Sequence, residues 1–93
     1  MIQSFSDKET EKIWNRQRSR KLPPEIQDRA LRKLRELAAA PTLETLRFPP
    51  FNRLHPLLGD RKDNHAIRIN DQWRITFHWG PQGPEDVRIE DYH

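Results

Sequence analysis

From Gln72 to Trp79 the chain alternates. Trp73, Ile75, Phe77 and Trp79 fall on one phase, and Arg74, Thr76 and His78 on the other. Successive side chains of a strand point to opposite faces, so this pattern predicts a strand with one apolar and one polar face. Such a strand cannot stand in water by itself. Its apolar face needs a cover and its backbone needs neighbours. Any fold open to this chain must supply both.

The cover comes earlier in the sequence. Pro23-Pro24 marks a helix start, because proline is tolerated in the first turn. Glu25 and Asp28 then sit near the positive end of the helix dipole. Ile26, Ala30, Leu34, Leu37 and Ala38 recur every three or four residues and form one apolar stripe, and Pro41 ends the helix. A shorter helix is expected from Ser6, as N-cap of a capping box with Glu9, to about Arg16. Its apolar content is thin, mainly Ile13 and Trp14, so it must lie on something. Residues 1–5 read as a short strand in which Ile2 and Phe5 are out of phase. Residues 17–22 are a basic connection.

The neighbours come later. Residues 42–47 read as a turn or short helix and 48–51 as a rigid connector. Residues 52–57 read as a strand that loses a donor at Pro56. A turn over 59–64 leads to a strand at 65–69, with Ile67 and Ile69 on one face and Arg68 on the other. Asn70-Asp71 is a tight-turn pair, since both residues tolerate left-handed backbone angles. After the 72–79 strand, 80–84 is expected to be a loop and 87–92 the last strand. The helices carry an apolar stripe and the strands an apolar face. The expected architecture is therefore a single α+β domain over 1–93, with helices packed on a mainly antiparallel meander of three or four strands.

Composition narrows the chemistry. There is no cysteine, hence no disulfide framework and no thiolate metal site. No apolar stretch approaches membrane-spanning length, and the N-terminus lacks a basic leader followed by an apolar run. No membrane partner is expected, and the cytoplasm is the expected compartment. Net charge is +3, and it is unevenly placed. Residues 1–40 hold ten Lys and Arg against six Asp and Glu, whereas residues 41–93 hold seven against eight. A basic half points to a polyanionic partner, although Lys and Arg also simply solubilise helix faces. Arg29, Arg32, Lys33 and Arg35 are the core of that basic face.

The titratable candidates are His55, His65, His78, Asp91, Tyr92 and His93. No histidine pair has helical ligand spacing, and no glycine-rich phosphate loop or serine elbow is present, so neither metal nor cofactor is expected. Histidines with arginines suit one metal-free reaction well. A base takes the 2′-OH proton of RNA, cations hold the charge on phosphorus, and an acid protonates the departing 5′-oxygen. On residue types alone, ordinary surface histidines remain the alternative.

Four stretches together resemble a known family. They are Met1-Ile2-x-Ser4-Phe5, Arg53-Leu54-His55-Pro56-Leu57-x-Gly59-Asp60-Arg61, Asn70-Asp71-Gln72-Trp73-Arg74-Ile75-Thr76-Phe77 and Glu90-Asp91-Tyr92-His93. In this order they resemble the HigB-type toxins of the RelE/ParE-like superfamily, the plasmid maintenance killer proteins. The resemblance spans essentially the whole chain. It implies a RelE-like fold, two N-terminal helices on a sheet of four to five strands. It implies a ribosome-dependent mRNA endonuclease, one half of a toxin–antitoxin pair. A HigA-type helix-turn-helix antitoxin would neutralise it, and the pair would bind operator DNA through the antitoxin. It also implies that His55, Asp91, Tyr92 and His93 are the active-site residues, with Arg74 as a phosphate contact. Arg53, Arg61 and Arg68 are further candidates for phosphate. The basic face of the second helix would meet ribosomal RNA or the antitoxin. One position departs from the pattern: some members carry Lys where this chain has Leu58. The superfamily also holds non-catalytic inhibitors of DNA gyrase, which gives the alternative reading.

Overall fold

The computed structural model describes residues 1–61 and 63–91. Four strands form one antiparallel sheet in sequence order: β1 (His55–Pro56), β2 (Asn64–Arg68), β3 (Trp73–Gly80) and β4 (Gly83–Asp91). Two helices, α1 (Lys8–Trp14) and α2 (Pro24–Ala39), precede the sheet and cover one face of it. This is the expected α+β arrangement.

The core forms where the two apolar periods meet. Ile26, Ala30, Leu34 and Leu37 of α2 pack with Ile67, Ile75, Phe77, Val87 and Ile89 of the sheet, all of them buried. Fully burying a side chain of this size contributes about 1.5–3 kcal/mol. Phe77 lies at the centre, stacked on His65 at 6.3 Å and edge-on to Trp79 at 6.5 Å. Trp73 and Trp79 are only partly buried, because they stand at the two ends of the packed region.

Several expectations shift. The α1 N-cap is Asp7, whose Oδ1 accepts from the Thr10 N–H at 3.0 Å, and not Ser6. Ser6 is engaged elsewhere: its hydroxyl donates to the Asp86 carbonyl at 2.8 Å, while Ser4 Oγ accepts from the Asp86 N–H at 2.9 Å. Asp86 has φ 52° and sits where the β3–β4 register slips between Thr76 and His78. A β-bulge of this kind needs outside partners for its displaced backbone, and the two serines supply them. They flank Phe5, and residues 1–5 form not a full strand but a single parallel bridge, Phe5 to Val87. That segment still blunts the free edge of β4.

The expected loop at 80–84 is instead a tight hairpin, with Gly80 paired to Gly83 across Pro81-Gln82. Gly83 has φ 131°, and a Cβ there would come 2.7 Å from the Met1 carbonyl. The expected strand at 52–57 contracts to His55–Pro56, because residues 50–52 coil into a 3-10 turn and Arg53 is left-handed at φ 46°. The turn after it contains a second short 3-10 segment, Gly59–Arg61.

Candidate active site

Strand pairing sorts the candidates onto two faces. His55 pairs with Ala66, Ala66 with Thr76, and Thr76 with Arg88. Directly paired residues share a face, so these four point away from the helices. Arg68, Arg74 and Glu90 form a second such row, and Asn64 with His78 a third. The polar phase read from the sequence is therefore one continuous surface. It is not fully open: Ala66 is 0% and Thr76 3% exposed. The segment after β1 reaches over this face, where Arg61 Nη2 donates to Thr76 Oγ1 at 3.1 Å.

His55 is half-buried on the two-residue β1. Its Nδ1 lies 2.8 Å from the Arg53 carbonyl, which can only accept, so Nδ1 carries the proton. The proton-accepting nitrogen of the neutral ring is then Nε2, which is shielded from solvent. The left-handed turn at Arg53 is what brings that carbonyl back onto the ring. The Arg53 side chain is exposed beside it. His78 shares the face and donates through Nδ1 to the Asp63 carbonyl at 3.0 Å. His65 does not share it. It pairs with Phe77 on the helix side, and burial, then the neighbouring His55, push its pKa down.

The arginines are unequal. Arg61 grips the Glu90 carboxylate with both Nη atoms, at 3.0 and 2.5 Å. Arg74 Nη1 closes the β2–β3 turn by donating to the carbonyls of Asn70 at 2.5 Å and Trp73 at 3.1 Å. Arg68 pairs with Asp71 and lies 4.7 Å from the centre of the Phe51 ring. Two cations from α2 reach the same ring, Arg29 at 5.6 Å and Lys33 at 5.3 Å. Sheet arginine and helix face, read apart in sequence, thus meet at one aromatic. A groove of about 340 Å³ beside it is lined by Arg29, Arg32, Lys33, Glu36, Pro49 and Phe51.

Lys33 is not a solvated member of the basic face. It is 7% exposed, with Nζ donating to Asn52 Oδ1 at 2.7 Å and paired with Glu36 at 3.2 Å. Arg35 borders a different cleft, with Arg16, Arg18 and Leu31. The expected patch of four is therefore divided around the helix.

Asp91 pairs with Trp73 at the end of β4 and accepts from Gln72 Nε2 at 3.0 Å. Its neighbour Glu90, and not Asp91, has the phase of the polar face. β2 and β3 lie between the strands of His55 and Asp91, which sets those strands roughly 14 Å apart at ordinary spacing, and Asp91 lies three residues beyond the row of His55. Tyr92 and His93 lie outside the described residues. Leu58, where the resemblance marks a departure from the family pattern, is 88% exposed.

Sequence reasoning passed over Glu90, Thr76 and Arg88 as site residues. The signal was present: Val87-Arg88-Ile89-Glu90 alternates, and the polar phase of β3 includes Thr76. What sequence did not show is that Glu90 accepts from both Arg61 and Thr76 Oγ1. Partial burial pushes the Glu90 carboxyl up, and those two hydrogen bonds, with the charges of Arg61 and Arg88, more than reverse it, leaving it below the usual 4.5.

Comparison with known proteins agrees with this fold. A family model described as the RelE-like toxin of the type II toxin–antitoxin system HigB matches residues 3–93. Toxin HigB-1 of Vibrio cholerae serotype O1 is 39% identical over 80 residues, 85% of this chain and 84% of that protein. Endoribonuclease HigB of Proteus vulgaris is 30% identical over 93 residues, covering 100% of both. Among solved structures, a YoeB/ParE toxin from Agrobacterium tumefaciens superposes with TM-score 0.62 at 15% identity, covering 99% of this chain and 98% of that one. YafQ from E. coli strain BL21(DE3) gives 0.61 at 18% identity, covering 98% and 91%. The two structures share the fold, and the family match with the two sequence relatives adds the lineage: the chain belongs to the HigB family of RelE-like toxins of type II toxin–antitoxin systems.

Proposed function

We propose that this toxin is an endoribonuclease that cuts mRNA during translation in the cytoplasm and is held inactive by a HigA-type helix-turn-helix antitoxin. The pair would bind its operator DNA through the antitoxin. The observation that carries the catalytic reading is the contact of His55 Nδ1 with the Arg53 carbonyl at 2.8 Å. With Nδ1–H donated to the Arg53 carbonyl, Nε2 is the basic nitrogen of the neutral ring, the one that would take the 2′-OH proton. The oxygen so released attacks the adjacent phosphorus, and the 5′-oxygen leaves with a proton from an acid. Family resemblance supplies His93 for that second proton role, Asp91 to orient a histidine and Tyr92 to stack on or hydrogen-bond the RNA. A relative matched over its full length is named an endoribonuclease, which supports the same reaction class.

Negative charge on phosphorus needs cations. Family resemblance assigns phosphate to Arg74, and Arg53, whose side chain is exposed beside His55, is the second candidate. The α2 cations Arg29 and Arg32 on one side and Arg35 on the other would hold ribosomal RNA, in competition with the antitoxin. Such phosphate contacts should make ribosome binding fall steeply with salt, and a flat salt response would remove that assignment.

Induced expression with primer extension on cellular mRNA tests the whole reading. Cuts within codons are expected, and the His55→Ala, His93→Ala double variant should lose cleavage by at least about 100-fold while remaining folded. Intact mRNA with damaged DNA would favour the gyrase-inhibitor alternative. A folded double variant that still cleaves ribosome-bound mRNA would sink the assignment of the histidines.

A further inference from the structure

β1 is a poor mount for a catalytic residue. It is two residues long, its second residue is Pro56 with no N–H to donate, and it lies at the edge of the sheet. Past it, the Leu57 N–H to the Asn64 carbonyl at 2.9 Å is the last backbone bond to β2 among the described residues. A ladder this short does not by itself fix His55 to the fraction of an ångström that proton transfer requires.

A second restraint lies six residues on. Arg61 reaches across the polar face to β4, donating Nη1 to Glu90 Oε1 at 3.0 Å and Nη2 to Oε2 at 2.5 Å. The same Nη2 donates to Thr76 Oγ1 on β3 at 3.1 Å, and that hydroxyl donates in turn to Glu90. Bidentate arginine–carboxylate pairs fix direction as well as distance. Thr76 is buried beneath the pair, so the clasp closes over β3. Its two ends are informative. Arg61 belongs to the segment that follows His55, and Glu90 is bonded directly to Asp91, the first of the three terminal candidates.

We infer that the Arg61–Glu90–Thr76 clasp is a positioning device that holds the segment following His55 in register with the C-terminal end of β4, and so sets the distance between the two halves of the active site. Arg61 and Glu90 do not touch the reacting atoms. The oxygens of Glu90 are taken up by Arg61 and Thr76, and both Nη atoms of Arg61 are taken up by Glu90. The inference rests on the proposed ribonuclease reading, in which His55 and the terminal residues act together.

The test compares Glu90→Gln, Arg61→Gln and the exchanged pair Arg61→Glu, Glu90→Arg, with His55→Ala alongside. Each is assayed on purified bacterial ribosomes programmed with a short mRNA, with binding and single-turnover cleavage measured separately. The threonine hydroxyl both donates and accepts, so it can serve the exchanged pair as it serves the native one. Each single variant should slow cleavage on the order of 10- to 100-fold with binding changed less than about twofold. The exchanged pair should recover most of the lost rate. Wild-type rates in the single variants would overturn the inference, as would an exchanged pair no faster than they are. A loss of binding that accounts for the whole loss of cleavage would also overturn it, because Arg61 would then be a substrate contact. His55→Ala separates the two levels. If the wild type itself does not cleave, the ribonuclease reading fails; if His55→Ala cleaves normally, the assignment of His55 fails and the clasp with it. If His55→Ala is dead while the clasp variants are normal, only the clasp fails.

Discussion

Phe77 and Thr76 are neighbours in the chain and face opposite ways. Both are buried, Phe77 at 0% and Thr76 at 3% exposure, yet by different means. On the helix side, burial is apolar: α2 lays its stripe on the sheet and excludes water over a continuous surface. On the far side it is polar: one guanidinium, one carboxylate and one hydroxyl satisfy each other over a small patch. The first mode stabilises in proportion to area and needs no particular geometry. The second contributes little net energy and demands a defined geometry. The molecule thus puts its stability on one face and its directional contacts on the face that carries His55.

Phe77→Ala should break the helix side most. Truncating a buried Phe costs about 3–5 kcal/mol, a large share of the stability of a domain this size. Urea denaturation measures it, and a loss under roughly 1 kcal/mol would mean the helices are not packed on β3 as described. Thr76→Val keeps the shape and removes only the hydroxyl. It should cost about 0.5–1.5 kcal/mol by the same measurement. A cost rivalling that of Phe77→Ala would show that the far side carries the fold as well.

The smallest effects are pH slopes, and they separate the faces. His65, on the helix side, has a folded pKa pushed below 6.5, chiefly by burial. As pH falls from 6.5 the unfolded chain therefore takes the proton first, and stability declines from there downward. Glu90, on the far side, has a folded pKa below 4.5. Its contribution is present above 4.5 and is lost as pH falls through its lowered folded value. His65→Gln should flatten the upper part of the acid limb and leave the lower part. Glu90→Gln should do the reverse. Stability measured at a series of pH values reads both, and an upper limb unchanged in His65→Gln would show that His65 is not shielded in the fold.

Legibility differed in the same way between the faces. Burial by area leaves a periodic trace in sequence, because each helix or strand repeats its own contacts. The β3 alternation and the α2 stripe were therefore readable, and so was the layered α+β fold. Contacts between side chains of distant segments leave no period. That is why Lys33 reads as a solvated cation yet lies buried against Asn52. It is also why Arg68 and Arg29 read as separate surfaces yet share Phe51. Local turn chemistry failed for a related reason. Ser6 and Asp7 are both able to cap α1, and the choice fell to Asp7 because Ser6 is held by a bulge 80 residues away.

The sequence by itself determined which residues face the core, where α2 begins and ends, and which residue types the polar face presents. Those properties follow from periodicity and from the backbone limits of proline, and each is local. Tertiary structure alone decided which cations remain available, which nitrogen of His55 holds its proton, and that Glu90 rather than Asp91 shares its face. Each of those depends on a partner brought near by folding, such as the Arg53 carbonyl turned back by a left-handed residue or the Arg61 guanidinium carried over β3. Hydrogen bonds are short-ranged and directional, so only the assembled chain specifies them.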